Sequence, residues 1–423
     1  MDFVLTGGRV IDPASGVDDE RDVAITGGAI AIEPGPDARF VDCTGLLVLP
    51  GFIDLHVHLR EPGEEHKETI ATGMRAAAAG GYTSIVAMPN TRPVCDNAAV
   101  VELVRARAAA GKGARVYVAG AISRGSEGHE LAEYGELKRA GVVCLTDDGK
   151  PVVSGGLMRR ALEYAGAFGL PVAVHAEDPD IAANGVMHEG AVSTRLGLRG
   201  RPAAAEAAMV ARDLLLAELA GARLHVMHVS TASAVRLIRD AKARGVRVTA
   251  EAAPHHLALT DEAVAESGYD PRTKMAPPLR SESDRRALVE GLADGTIDCV
   301  ATDHAPHATV DKEVEFEAAA NGVVGLETAL PVLLELWRSG AVTLPRLVDA
   351  LTAAPARAFG LPGGSLAPGA PADVVVVDPE SEWDCDPALF FSKGRNCPWL
   401  GRRFKGRATL TLVGGELVHG AAP

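Results

Sequence analysis

Two rhythms of apolar and polar positions alternate along the chain. The first fifty residues run as short apolar clusters, FVLTGGRVID, DVAITGGAIAI and FVDCTGLLVLPG, broken by Gly-Gly and Asp-Pro turns. The last sixty residues repeat that style. ADVVVVD at 372–378 and ATLTLVGGELV at 408–418 read as strands, the second folded by a Gly-Gly hairpin. Both ends therefore predict a small β-sandwich domain assembled from residues 1–50 and 362–423.

Between them, short β-branched runs alternate with Ala-, Leu- and Arg-rich stretches of helical character, such as 102–110, 157–167 and 203–220. Eight strand candidates stand at 53–58, 83–88, 115–120, 142–146, 171–175, 223–228, 246–251 and 298–302. Strand–helix alternation implies parallel pairing. Eight such units across 51–361 predict a (β/α)8 barrel of TIM type, an α/β fold, ahead of an open doubly wound sheet of similar content.

Charge narrows the partners. A net charge of −14 disfavours nucleic acid and anionic membrane surfaces, and an anionic substrate would need its own cationic patch. The six cysteines include no CxxC pair, which fits a reduced, cytoplasmic protein. The N-terminus has no basic segment followed by a long apolar one, and no apolar run reaches the length of a membrane span, so neither a signal peptide nor a transmembrane segment is expected.

Chemistry gathers where a barrel keeps its active site, at the C-terminal strand ends. The first candidate strand ends in Asp54-Leu55-His56-Val57-His58, which puts both imidazoles on one side. The fourth runs into Asp147-Asp148-Gly149, where either carboxylate could turn inward and the other could serve a plain turn. The fifth ends at His175, the sixth at His228, and the eighth is followed by Asp303. His225 has the opposite parity to His228 and reads as a packing or surface residue.

Imidazole and carboxylate are the donors expected of zinc, and less often of manganese or iron. Six donors exceed the needs of one four-coordinate ion. They suit two ions bridged by a carboxylate better than one ion with spare neighbours. A metal-bound water acts as hydroxide near neutral pH, and Asp303 is placed to move its proton. That is the chemistry of amide or related C–N hydrolysis. There is no GxSxG elbow, GxGxxG loop or Walker motif to support acyl-enzyme or nucleotide chemistry. Arg60, two residues past the HxH pair, can grip a carboxylate. Asn90 and His307 stand on the same rim, which favours a small anionic substrate.

With these residues in place, the chain resembles the class I dihydroorotases of the amidohydrolase superfamily over nearly its whole length. The motifs are GFIDLHVHLREPG (51–63), EHKETIATGMRAAAAGGYTSIVAMPNT (65–91), TDDGKPV (146–152), HAED (175–178), HVSTASAVRLIRDAK (228–242), EAAPHHL (251–257) and ATDHAPH (301–307). The resemblance implies zinc on His56, His58, Asp148, His175, His228 and Asp303, so it selects Asp148 over Asp147. It gives Asp303 the proton shuttle as well, and places substrate against Arg60, Asn90, His307 and Gly322. The implied reaction is reversible hydrolysis of L-dihydroorotate to N-carbamoyl-L-aspartate, the third step of de novo pyrimidine synthesis. A homodimer is the expected assembly, with aspartate transcarbamoylase as a candidate partner. Two departures touch the pocket: Ala276 stands where the family usually has Asn, and Ala320-Asn321-Gly322 where it has Pro-Phe-Gly.

Two rivals remain. Hydantoinases, dihydropyrimidinases and allantoinases share the fold but typically bridge their metals with a carbamylated Lys on the fourth strand, and 142–148 contains no Lys. Catalytically dead homologues act as scaffolds for the transcarbamoylase, but lack metal-binding His residues. The loop 306–322 is expected to serve as a lid.

Overall fold

A computed structural model describes residues 2–420. Met1 and residues 421–423, the tips of the expected β domain, lie outside the described residues.

Eight parallel strands, numbered here in chain order, form the central sheet: β1 Phe52–Val57, β2 Tyr82–Ala87, β3 Arg115–Gly120, β4 Val142–Leu145, β5 Val172–Val174, β6 Leu224–Val226, β7 Val248–Ala252 and β8 Cys299–Val300. Each pairs with its sequence neighbour. The two edges meet at a parallel bridge between Val57 and His304, where the His58 amide donates to the His304 carbonyl at 2.9 Å. Asp54 ties the same seam, its carboxylate accepting from the Thr302 amide at 3.1 Å and the Thr302 hydroxyl at 2.6 Å. The sheet is thus the expected (β/α)8 barrel.

Its lumen is filled by Ile53, Leu55, Val86, Ala119, Cys144, Ala173, Met227, Cys299 and Ala301, all buried. The helix Ala353–Phe359 packs against this interior layer. With so few aromatics, small side chains fill the barrel and a helix closes on it.

The outer helices follow their caps. The helix expected at 102–110 begins at Ala98, because the Asn97 side chain accepts from the Val100 amide. The one expected at 157–167 begins at Gly155, after Ser154 caps the Leu157 amide.

Two further sheets share one apolar core that includes Phe3, Ile25, Val48, Val376 and Leu412. One has four strands, all from the first 42 residues. The other has six, and joins Leu47–Pro50, Arg9–Asp12 and Val17–Glu20 to Val374–Asp384, Arg403–Val413 and Glu416–His419. Strands from both ends of the chain therefore complete one sheet. Between its two longest strands the chain leaves the sandwich and runs to the barrel mouth.

Candidate metal centre

The strand-end groups do not all arrive by simple alternation. Ile53 and Leu55 fill the lumen, so unbroken alternation would turn His56 and His58 outward. The pairing of β1 slips between Asp54 and Val57, and past that slip both imidazoles join the interior site. In the same way Met227 faces the lumen. His228 reaches the site because its backbone is left-handed, with φ of 31°. Asp303 (φ 48°) and Arg60 (φ 61°) share that conformation. Left-handed backbone costs a non-glycine residue free energy, and such positions cluster where function demands a direction.

The result is a compact group. His58 Nε2 lies 3.1 Å from Asp303 Oδ1 and 3.4 Å from Asp148 Oδ2. His56 Nε2 lies 3.2 Å from Asp148 Oδ1 and 3.5 Å from Asp303 Oδ1. His175 Nδ1 and His228 Nε2 are 2.9 Å apart, and each stands 3.8 Å from Asp148 Oδ1. All six residues are buried. Two overlapping triplets, His56–His58–Asp303 and His56–Asp148–His228, bring their donor atoms close enough to share an ion.

His56 Nε2 is buried and makes no aligned hydrogen bond despite its carboxylate neighbours. Four imidazoles and two carboxylates of this kind fit a divalent metal. The charges are poised for one. Burial works to raise the Asp303 and Asp148 carboxyls, but His56 and the other imidazoles outweigh it and hold both below the ordinary carboxylate range. Burial, helped by His228, pushes His175 down to about 3, so it stays neutral, as a ligand must.

Asp147 turns away. Its carboxylate accepts from the Ser123 amide at 3.0 Å and from the Ser123 hydroxyl. His225 is not at the surface. It is buried, with Nε2 3.0 Å from Glu251 Oε2 and Nδ1 2.8 Å from Thr249 Oγ1. Glu251, at the β7 strand, also faces His56 Nδ1 at 2.8 Å. Glu251 ends the strand candidate 246–251, but its role depends on His56 and His225, partners 195 and 26 residues away that no local pattern connects to it.

Over 420 residues the chain is 64% identical to the dihydroorotase of Anaeromyxobacter sp. (strain K), covering 98% of this chain and 97% of that one. It is 55% identical over 423 residues to the dihydroorotase of Pelotomaculum thermopropionicum, covering 99% and 98%. The chain belongs to the dihydroorotase family.

The sequence profile of the Dihydro-orotase-like family matches residues 45–234. Among solved structures, the L-hydantoinase (dihydropyrimidinase) of Arthrobacter aurescens superposes with a TM-score of 0.88 at 27% identity, over 100% of this chain and 97% of that one. The dihydropyrimidinase of Brevibacillus agri gives 0.86 at 26%, over 99% and 95%. The barrel with its β-sandwich is thus shared with these solved structures, and the dihydroorotase family is where the sequence lies.

Beside the metal-ligand candidates of this dihydroorotase-family chain stands the rim. Arg60 is half-buried, its Nε donating to the Pro306 carbonyl at 3.1 Å, with one terminal nitrogen 3.5 Å from His307 Nε2. His307 Nε2 donates to the Asn321 carbonyl at 2.7 Å. That contact is to main chain, and the Asn321 side chain is exposed, so the departure from the family pattern at 321 leaves it intact. Gly322 (φ 123°) packs so tightly that a Cβ would sit 2.6 Å from the Ala305 Cβ and 3.3 Å from His307 Nε2. Asn90 accepts from His58 Nδ1 at 3.1 Å and so helps to orient that imidazole.

The loop 306–322 is strongly tied. Lys312 Nζ donates to the carbonyls of Pro271, Lys274 and Ala320 at 2.7–3.2 Å, and Lys274 Nζ to those of Glu317 and Ala319. In this structure the expected lid is held down by two lysines.

Proposed function

We propose that this chain is a dihydroorotase of class I, working with zinc, and with two ions in preference to one. It hydrolyses the cyclic amide of L-dihydroorotate reversibly to N-carbamoyl-L-aspartate, in pyrimidine biosynthesis. The observation that carries this is the full-length identity of 64% to a dihydroorotase, in a chain where His56, His58, Asp148, His228 and Asp303 converge in one buried group with His175 beside them. A second reading comes from the superposition on hydantoinases and dihydropyrimidinases. Against it, β4 delivers Asp148 to the cluster, while the nearest lysines, Lys138 and Lys150, are both exposed.

In this reading His56, His58, Asp148, His175, His228 and Asp303 hold the metal. Bound there, zinc supplies Lewis acidity towards the amide carbonyl and makes water acidic enough to serve as a nucleophile. Asp303 takes the proton of the attacking water and hands it to the ring nitrogen as the C–N bond breaks, and the reverse on closure. Arg60 grips the substrate carboxylate, with Asn90, His307 and the main chain at Gly322 completing the pocket. Residues 51–361 form the catalytic domain, and 1–50 with 362–423 the β-sandwich domain. We place the protein in the cytoplasm, where its six free cysteines fit, as a homodimer that can associate with aspartate transcarbamoylase. No described helix is long and apolar enough to cross a membrane.

Turnover of L-dihydroorotate and of dihydrouracil, measured side by side, separates the two readings. Dihydrouracil lacks the carboxylate. Preference for L-dihydroorotate by orders of magnitude is expected; equal or better use of dihydrouracil would favour the dihydropyrimidinase reading.

A further inference from the structure

The stretch from Cys385 to Arg402 joins the two longest strands of the composite sheet, but their pairing does not require its path. It descends to the barrel mouth, where Asn396 is 5% exposed. The Asn396 Nδ2 donates to the Ala305 carbonyl at 2.9 Å and to the Gly322 carbonyl at 3.0 Å. Its Oδ1 accepts from the His307 amide at 3.0 Å. Its own carbonyl accepts from the Val324 amide at 3.0 Å. Both donors of the amide are used, and its acceptor, on main chain of the two arms that carry His307 and Gly322.

These two arms are already linked by the Ala305 amide, which donates to the Val323 carbonyl at 2.8 Å. Asn396 adds a rung one step nearer the pocket. Beyond the rung stand the His307 imidazole, the Gly322 peptide and the Arg60 guanidinium, which is itself bonded to the Pro306 carbonyl. Asn396 makes no hydrogen bond to any of the six metal-ligand candidates.

We infer that Asn396 is a positioning residue for substrate binding: through its side-chain amide, the C-terminal segment sets the spacing of His307 and Gly322 at the barrel mouth. The inference rests on the reading that these two residues meet the substrate. The chemistry of the site selects Asn. Aspartate would set a carboxylate against two carbonyl oxygens, and alanine would leave two buried carbonyls and one amide without their partner. A residue that only held the fold together would lower stability when changed and leave substrate affinity alone.

The test uses the full-length, zinc-loaded enzyme with Asn396→Asp, Asn396→Ala and His307→Ala, assayed on L-dihydroorotate. Alanine adds no buried charge and is the variant to read if the aspartate form does not fold. The expected result is a KM raised about ten-fold or more in the Asn396 variants, with kcat within about three-fold and zinc content unchanged. In a His307→Ala background the Asn396→Ala penalty should be smaller than in wild type, because the share that acts through His307 is already lost while the share through Gly322 remains. Should His307→Ala raise KM while the Asn396 variants stay within about two-fold of wild type, the inference alone is overturned. Should His307→Ala leave KM unchanged, the reading of His307 fails, and the inference with it.

Discussion

His56 and Glu251 are joined by a 2.8 Å hydrogen bond from Nδ1 to Oε1, wholly inside the barrel. The Glu251 carboxylate can only accept, so Nδ1 is the donor and Nε2 is the ring nitrogen that faces Asp148 and Asp303. The other oxygen of Glu251 faces His225 at 3.0 Å, so the carboxylate is itself held from behind. A ligand imidazole oriented by a carboxylate is a more basic and better aimed donor.

Glu251→Gln should therefore weaken metal binding by about ten- to a hundred-fold, the size typical of losing such an outer partner. Competition with a chelator measures it. Metal retention equal to wild type would show that His56 needs no such partner.

The same group gives a pH dependence. Burial works to raise the Glu251 carboxyl, but hydrogen bonds from His225 and His56 outweigh it and lower it to about 2. The unfolded value is about 4.3. A carboxyl depressed in the folded state contributes stability that is present above its unfolded value and is lost as pH falls through its folded one. In the metal-free protein, the stability gap between wild type and Glu251→Gln should hold steady above about pH 5 and narrow on acidification below about pH 4. Urea unfolding at a series of pH values reads this gap. A gap that widens on acidification contradicts the assignment.

Asp303 is asked to carry a proton as well as to face the metal. Asp303→Asn should retain most of the metal, since five other donors remain, and lose turnover by about 100- to 10,000-fold. Metal analysis beside a turnover assay separates the two roles. Near-normal turnover would remove Asp303 from proton transfer.

Arg60→Ala should raise KM for L-dihydroorotate by a factor worth roughly 2 to 4 kcal/mol, the range for removing a charged, hydrogen-bonded partner. The metal content should not change, because Arg60 bonds to the Pro306 carbonyl and no ligand candidate. An unchanged KM would mean that the substrate carboxylate is held elsewhere.

Much of this was legible in the chain, for reasons that particular residues illustrate. Strand–helix alternation gave the barrel, because each β-branched run had to pair with the next. The strand-end His and Asp residues were visible because polar groups are rare at the ends of otherwise apolar runs. Their directions were less legible. Alternation predicted correctly that His56 and His58 share a side, yet the side they take depends on a slip in β1 pairing. It also separated His225 from His228, but both lie within the barrel, because His228 turns inward through a left-handed backbone. The choice between Asp147 and Asp148 needed the Ser123 loop, 24 residues away in sequence, which binds Asp147 and leaves Asp148 to the cluster. Asn396 was beyond any local reading. It lies 89 residues from His307 and belongs to a segment whose path no periodicity describes.

The central claim is that the convergent His and Asp group holds the metal on which dihydroorotase turnover depends. Chelator-stripped protein, retitrated with zinc and assayed for conversion of L-dihydroorotate to N-carbamoyl-L-aspartate, tests it most directly. The account predicts negligible turnover in the stripped protein and recovery in step with bound zinc, reaching a plateau at two ions per chain. Turnover that survives removal of all metal, or zinc binding that restores none, would contradict it.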